Sequence, residues 1–123
     1  MTDKGPTLYN NQTLNTGDYL SSGNGYYAVM QQDGNFVLYQ TQLWIPQNAI
    51  WASGTNGKGV PPTKITMQDD GNLVIYDTYN TATWASNTYE KGTKPHKLVM
   101  QPDRNLVIYD GSGQPTWATG TNI

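Results

Sequence analysis

The chain has 123 residues with 7 basic, 9 acidic and no cysteine, for a formal net charge of -2. That length sets one domain, residues 1–123, with a modest core, and the absence of a basic run argues against nucleic acid or an anionic membrane as partner. Without thiols there is no disulfide framework and no thiolate chemistry. Only 13% of residues are charged, so a binding surface here works through neutral hydrogen bonds from Asn, Gln, Thr and Tyr.

Met1 to Pro6 lacks the apolar core of a signal peptide, and no apolar run approaches membrane-spanning length. The expectation is a cytoplasmic protein or one exported by a leaderless route, with no membrane insertion. Residues 1–7 read as a polar tail. Leu8-Tyr9-Asn10 and Leu14 to Leu20 read as two short strands with a turn between them. Ser21 to Gly25 is a second turn, rich in residues that tolerate positive φ. From Tyr26 to Tyr39 the chain alternates. Ala28, Met30, Phe36 and Leu38 share one parity, and Val29, Gln31, Asp33, Asn35, Val37 and Tyr39 the other, so the two sets face opposite sides of a strand. Asp33-Gly34 interrupts this run as a tight turn or bulge.

The pattern Gln-x-Asp-x-Asn-x-Val-x-Tyr occupies residues 31–39 and recurs at 68–76 and 101–109. Each copy is followed by Trp-Ala: Trp51-Ala52-Ser53, Trp84-Ala85-Ser86 and Trp117-Ala118-Thr119. The spacing from motif Gln to Trp is 16 residues in the second and third copies and 20 in the first, whose extra residues lie around Leu43-Trp44-Ile45. Thr, Val, Ile, Tyr and Trp dominate, with Gly, Asn or Pro breaks between short runs and no helical periodicity, so the chain reads as all-β. Three units too small to bury their own faces imply pseudo-threefold packing round a shared core. Trp51, Trp84 and Trp117 are its natural filler, each able to bury roughly 200 Å2. The strands around Leu8 to Leu20 precede the first motif and are expected to complete the third unit, closing a ring that would otherwise leave edges open.

On one face Gln31, Asp33, Asn35 and Tyr39 offer two amides, a carboxylate and a phenol beside Val37. Such a set suits a ligand with neighbouring hydroxyls and a C–H face, which describes a sugar. The chain resembles the monocot mannose-binding (bulb-type, β-prism II) lectin family, whose signature is this nine-residue motif. The resemblance covers roughly residues 8–123, including Trp-Ala-Ser/Thr after each motif. It implies three four-stranded antiparallel sheets in a triangular prism with one D-mannose site on each. In the first, Asp33 and Asn35 would hold O2, Gln31 O3 and Tyr39 O4, with Val37 on the ring carbons. Gln68, Asp70, Asn72, Val74 and Tyr76 would form the second, and Gln101, Asp103, Asn105, Val107 and Tyr109 the third. The family also implies calcium-independent binding of high-mannose glycans, agglutination or defence, no cofactor, and homodimers by exchange of the C-terminal strand. Plant members carry a disulfide at positions corresponding to Gly34 and Thr63. Its absence fits a cysteine-free animal (fish mucus-like) or microbial member.

Other readings are weaker. No bidentate Glu follows Asp33-x-Asn35 as a calcium loop requires, so no metal is expected. Glycan hydrolysis needs two carboxylates facing one bond, and each motif offers one same-face Asp, so an enzyme is not expected. The Gln-x-Trp of a β-trefoil is absent, since Ala49, Ala82 and Pro115 stand two before each Trp. The alternative function is a protein-binding or toxin-like module on the same fold, which would tolerate eroded motifs; none is eroded here. His96 reads as a solvated loop residue, and Arg104, in place of the motif glycine, as pointing away from the sugar. Trp44 either packs on its own sheet or contacts an extended glycan or a partner.

Overall fold

The computed structural model describes residues 2–123. In chain order the strands are β1 (Thr2–Asp3), β2 (Thr7–Leu8), β3 (Thr13–Asn15), β4 (Asp18–Ser21), β5 (Tyr27–Met30), β6 (Phe36–Tyr39) and β7 (Ala49–Ala52). Then come β8 (Lys64–Met67), β9 (Leu73–Tyr76), β10 (Ala82–Ala85), β11 (Lys97–Met100), β12 (Leu106–Tyr109) and β13 (Pro115–Ala118). A 3-10 turn, Pro46–Asn48, sits in the insertion of the first repeat. The strands form three sheets, ordered β1-β4-β5-β6-β7, β10-β9-β8-β3 and β13-β12-β11-β2.

Each repeat therefore supplies three consecutive antiparallel strands to its own sheet. The fourth comes from the N-terminal segment, which gives β4 to the first sheet, β3 to the second and β2 to the third. This corrects the expectation that Leu8 to Leu20 complete the third unit alone. Every repeat, not only the last, leaves an unpaired inner edge, and three short strands separated by turns can cover one edge each. The residues read as a polar tail also contribute, because β1 pairs in parallel with β4 through Thr2 and Asp3. Asp3 holds this extra edge by accepting hydrogen bonds from Ser21 Oγ at 2.8 Å and Gly5 N at 2.9 Å.

Alternation decides what is inside. Ala28, Met30, Phe36 and Leu38 of the first sheet join Ile65, Met67, Leu73 and Ile75 of the second and Leu98, Met100, Leu106 and Ile108 of the third in one core. The opposite parity, Val29, Val37 and Tyr39, clusters on the outer face. At the centre Trp51, Trp84 and Trp117 meet edge to face, with ring centroids 5.5–5.7 Å apart and planes inclined 72–76°. Aromatic quadrupoles favour this geometry, worth about 0.5–1.5 kcal/mol per pair beyond burial. The last hairpin of each repeat carries a register shift before its Trp, and such bulges turn a strand to re-aim its side chains.

Candidate carbohydrate-type site on each sheet

Gln31, Asp33, Asn35, Val37 and Tyr39 do not lie along one strand face, as the alternation suggested. β5 ends at Met30 and β6 starts at Phe36, and a tight turn joins them. Its closure is Gln31 N to Asn35 O at 2.9 Å and Gly34 N to Gln31 O at 3.2 Å. Gly34 has φ +89°, a conformation glycine adopts without penalty. Gln31, Asp33 and Asn35 thus ride on the turn, and only Val37 and Tyr39 face outward from the strand.

The turn nonetheless gathers them. Tyr39 Oη donates to Gln31 Oε1, Gln31 Nε2 donates to the Asp33 carboxylate at 3.1 and 3.2 Å, and Asp33 Oδ1 accepts Asn35 N at 3.0 Å. Tyr76, Gln68, Asp70 and Asn72 repeat the chain of contacts, as do Tyr109, Gln101, Asp103 and Asn105. Val37, Val74 and Val107 form the floors, each 3–4% exposed. The structure therefore brings all fifteen sequence-derived candidates together as three like clusters.

Behind each cluster stands a set of residues whose part the sequence reading missed. Asn35 Oδ1 accepts from Ser53 Oγ at 3.0 Å, Gly54 N at 2.9 Å and Thr55 N at 3.2 Å. Thr55 Oγ1 in turn donates to Gly34 O at 2.6 Å. Ser86 and Thr88 do the same for Asn72 and Gly71, and Thr119 and Thr121 for Asn105 and Arg104. The available signal was the Ser/Thr-x-Thr that follows every Trp-Ala. With Oδ1 occupied, Asn presents its Nδ2 donor to a ligand. Asp retains acceptor capacity, and the tyrosine oxygen, having given its proton to Gln, can still accept. A donor and an acceptor side by side suit a hydroxyl, which is both.

The surroundings differ. Tyr27 faces Tyr39 across the first sheet, whereas Lys64 faces Tyr76 and Lys97 faces Tyr109. Tyr39 is 5% exposed, and burial first, then the Asp33 charge, pushes its phenol above the usual value. Trp44 covers it, stacked at 6.1 Å and 17°, so the insertion packs on its own sheet. The first turn lines a cavity of about 320 Å3, and Lys97, Val99 and Tyr109 line one of about 590 Å3 on the third sheet.

His96 and Thr63 lie outside the motifs, and Gly34 and Arg104 within them. His96 is not solvated but 2% exposed. Its Nε2–H donates to Lys91 O at 2.6 Å, and the ring fills the space over Gly71, where a Cβ would come within 2.7 Å of it. Gly34 lies beside Thr63, a Cβ there falling 3.7 Å from Thr63 Cγ2, in keeping with the disulfide position that the resemblance implied. Arg104 takes φ +77° where the other turns have glycine. Its guanidinium donates to Thr121 O at 3.0 Å and Gln40 Oε1 at 3.4 Å, so it is committed to the protein. Among the described residues no three His, Cys, Asp or Glu cluster as metal ligands would.

No family model matches the chain. The structure is similar to that of a monomeric monocot mannose-binding lectin from Gastrodia elata, with 44% identity, a TM-score of 0.84, and coverage of 96% of this chain and 99% of that one. It is also similar to the mannose-specific agglutinin of snowdrop, Galanthus nivalis, solved with methyl-α-D-mannoside, at 40% identity and TM-score 0.75, covering 96% of this chain and 98% of that one. A curated relative, the mannose-specific lectin of Narcissus pseudonarcissus, is 44% identical over 73 residues. That match spans 59% of this chain and 61% of the relative, so it reaches about three fifths of the relative's length.

Proposed function

The chain belongs to the monocot mannose-binding, bulb-type lectin family, and on that premise we propose that it binds D-mannose and mannose-terminated glycans without calcium. The sites are the three clusters at residues 31–39, 68–76 and 101–109 on one domain. The observation that carries the reading is the leftover hydrogen-bonding capacity of each cluster. An Asn donor, an Asp acceptor and a Tyr acceptor remain uncommitted above a buried Val, three times over. A hydroxyl held between Asn and Asp, with a neighbour on Tyr and ring carbons on Val, uses all of it. The intact motif in every repeat favours this over a sugar-free protein-binding module.

Each site is shallow. About four net hydrogen bonds at roughly 1 kcal/mol each correspond to a dissociation constant of about 1 mM. Useful avidity then comes from several sites engaged together, as agglutination or defence would require. Homodimerisation by exchange of β13 would double the valence. Among the described residues β13 is an edge strand that pairs with β12 alone, the kind of strand an exchange would involve, although the Gastrodia protein is monomeric. Light scattering giving twice the chain mass is the expected result, and a single-chain mass would overturn the dimer. For the sugar, the decisive experiment is retention on mannan-agarose, released by free mannose and unaffected by EDTA. No retention would sink the lectin reading.

A further inference from the structure

The insertion around Trp44 occurs in one repeat only, and nothing in the nine-residue motif requires it. It is firmly built. Leu43 O accepts Asn48 Nδ2 at 2.9 Å and Ile45 N at 3.0 Å, and Gln40 N donates to Asn48 O at 3.0 Å. The indole is fixed by three tyrosines, stacked on Tyr39 and edge-on or tilted to Tyr19 at 4.9 Å and Tyr27 at 5.6 Å. Its N–H is buried without a partner, a cost the fold carries. The cavity of about 320 Å3 beside it is lined by Gly17, Val29, Met30, Gln31, Gln32, Asp33 and Trp44. That volume lies at the lower end for small-ligand pockets, enough for one ring rather than a chain.

Two of these residues, Gln31 and Asp33, belong to the first mannose cluster, but Val37, the floor of that cluster, does not line the cavity. The cavity is therefore a neighbour that shares the polar edge of the first site, floored by β5 instead of β6. Gln32 stands at its rim, exposed, its amide making no hydrogen bond among the described residues. At the matching position of the second repeat, Asp69 is tied to Lys94 at 3.0 Å and Asn10 at 2.8 Å, and the third repeat has Pro102, which offers no side-chain donor. Among the described residues an aromatic wall, a free amide and a shared carboxylate occur together on the first sheet alone.

We propose that this cavity is a second subsite, taking the adjoining neutral hexose ring of an oligomannoside whose first ring occupies the Gln31–Tyr39 cluster. The C–H face of the second ring lies on Trp44, and its hydroxyls meet Gln32 and Asp33. The inference rests on the mannose reading of the first cluster.

Calorimetry separates the two claims. The protein is titrated with methyl α-mannoside and with α1,2-, α1,3- and α1,6-mannobiose. The titrations are repeated in an Asp70→Asn/Asp103→Asn background, which leaves the first site alone. The expected result is one mannobiose binding that background about tenfold more tightly than the monosaccharide. Trp44→Ala should bring this ratio to near one, and Trp44→Phe should keep most of it. Thermal melts confirm that both variants fold. Equal affinity for mono- and disaccharide overturns the subsite, as does a ratio that survives Trp44→Ala. Tighter methyl α-mannoside binding in Trp44→Ala also overturns it, by making the indole a plug. If wild type binds no mannoside at all, the lectin reading falls first.

Discussion

The first sheet and the other two carry the same nine-residue signature but embed it in different chemistry. Round Tyr39 the neighbours are Tyr19, Tyr27 and Trp44, which bury the phenol. Round Tyr76 and Tyr109 the facing residues are Lys64 and Lys97, and both tyrosines are more open. Just past the motif, Asp77 and Asp110 cap their hairpins by accepting backbone N–H groups, while Gln40 stands there in the first repeat. A motif that fixes which hydrogen-bonding atoms gather leaves free what surrounds them. Three like clusters can therefore differ in the length and charge of the ligand each prefers.

The comparison can be broken at the element all three sheets share. Trp51→Ala opens a void against Trp84 and Trp117 and should cost about 3 kcal/mol, lowering the urea midpoint and weakening all sites together. Loss of the first site alone would show that the prism axis does not couple the sheets. A smaller and more local effect is expected from Asp70→Ala, which removes the acceptor for Gln68 Nε2 and Asn72 N. Calorimetric stoichiometry should fall from three to two, with stability down by about 1 kcal/mol. A chain that no longer folds would make Asp70 structural.

The smallest effect distinguishes the repeats by acid. The N–H of Thr93, with help from Ser112 and Gln114, holds the Asp110 carboxyl down to about 2. Asp77 is held low by the N–H groups of Thr81 and Val60. A carboxyl whose folded value is depressed stabilises fully above the ordinary carboxylate range of about 4 and loses that contribution as pH falls to the folded value. Melting temperature should therefore drop between pH 4 and about 2, and Asp110→Asn should flatten the drop, whereas Gln40→Asn should leave its shape unchanged. An identical acid profile in Asp110→Asn would refute this assignment.

Much of this architecture was legible because duplication writes itself at a fixed period. The regular return of Trp-Ala pointed to a threefold axis, and the strand parity separated Phe36 and Leu38 from Val37 and Tyr39. What escaped were relations over long distances in the chain. No local pattern tells Leu8, Leu14 and Leu20 that they belong to three different sheets, because a two- or three-residue strand carries almost no periodicity. His96 looked like a solvated loop residue because its contact, Gly71, lies 25 residues away. The motif looked like one strand face because period two survives a five-residue turn. The turn, however, is what swings Gln31 and Asp33 back toward Tyr39. The Ser/Thr-x-Thr pairs were visible in the sequence, but their task of holding Asn35, Asn72 and Asn105 in one orientation becomes apparent only from the hydrogen bonds.

The sharing of the N-terminal segment among the sheets has a consequence in time. Leu8 pairs with Leu98 and Thr7 with Val99, so β2 must wait for residues translated long after it. Pairings this distant in sequence form slowly, and the third sheet cannot close until β11 has left the ribosome. A deletion or bulky insertion at Thr7–Leu8 should accordingly be felt far away in sequence, in the face built round Tyr109.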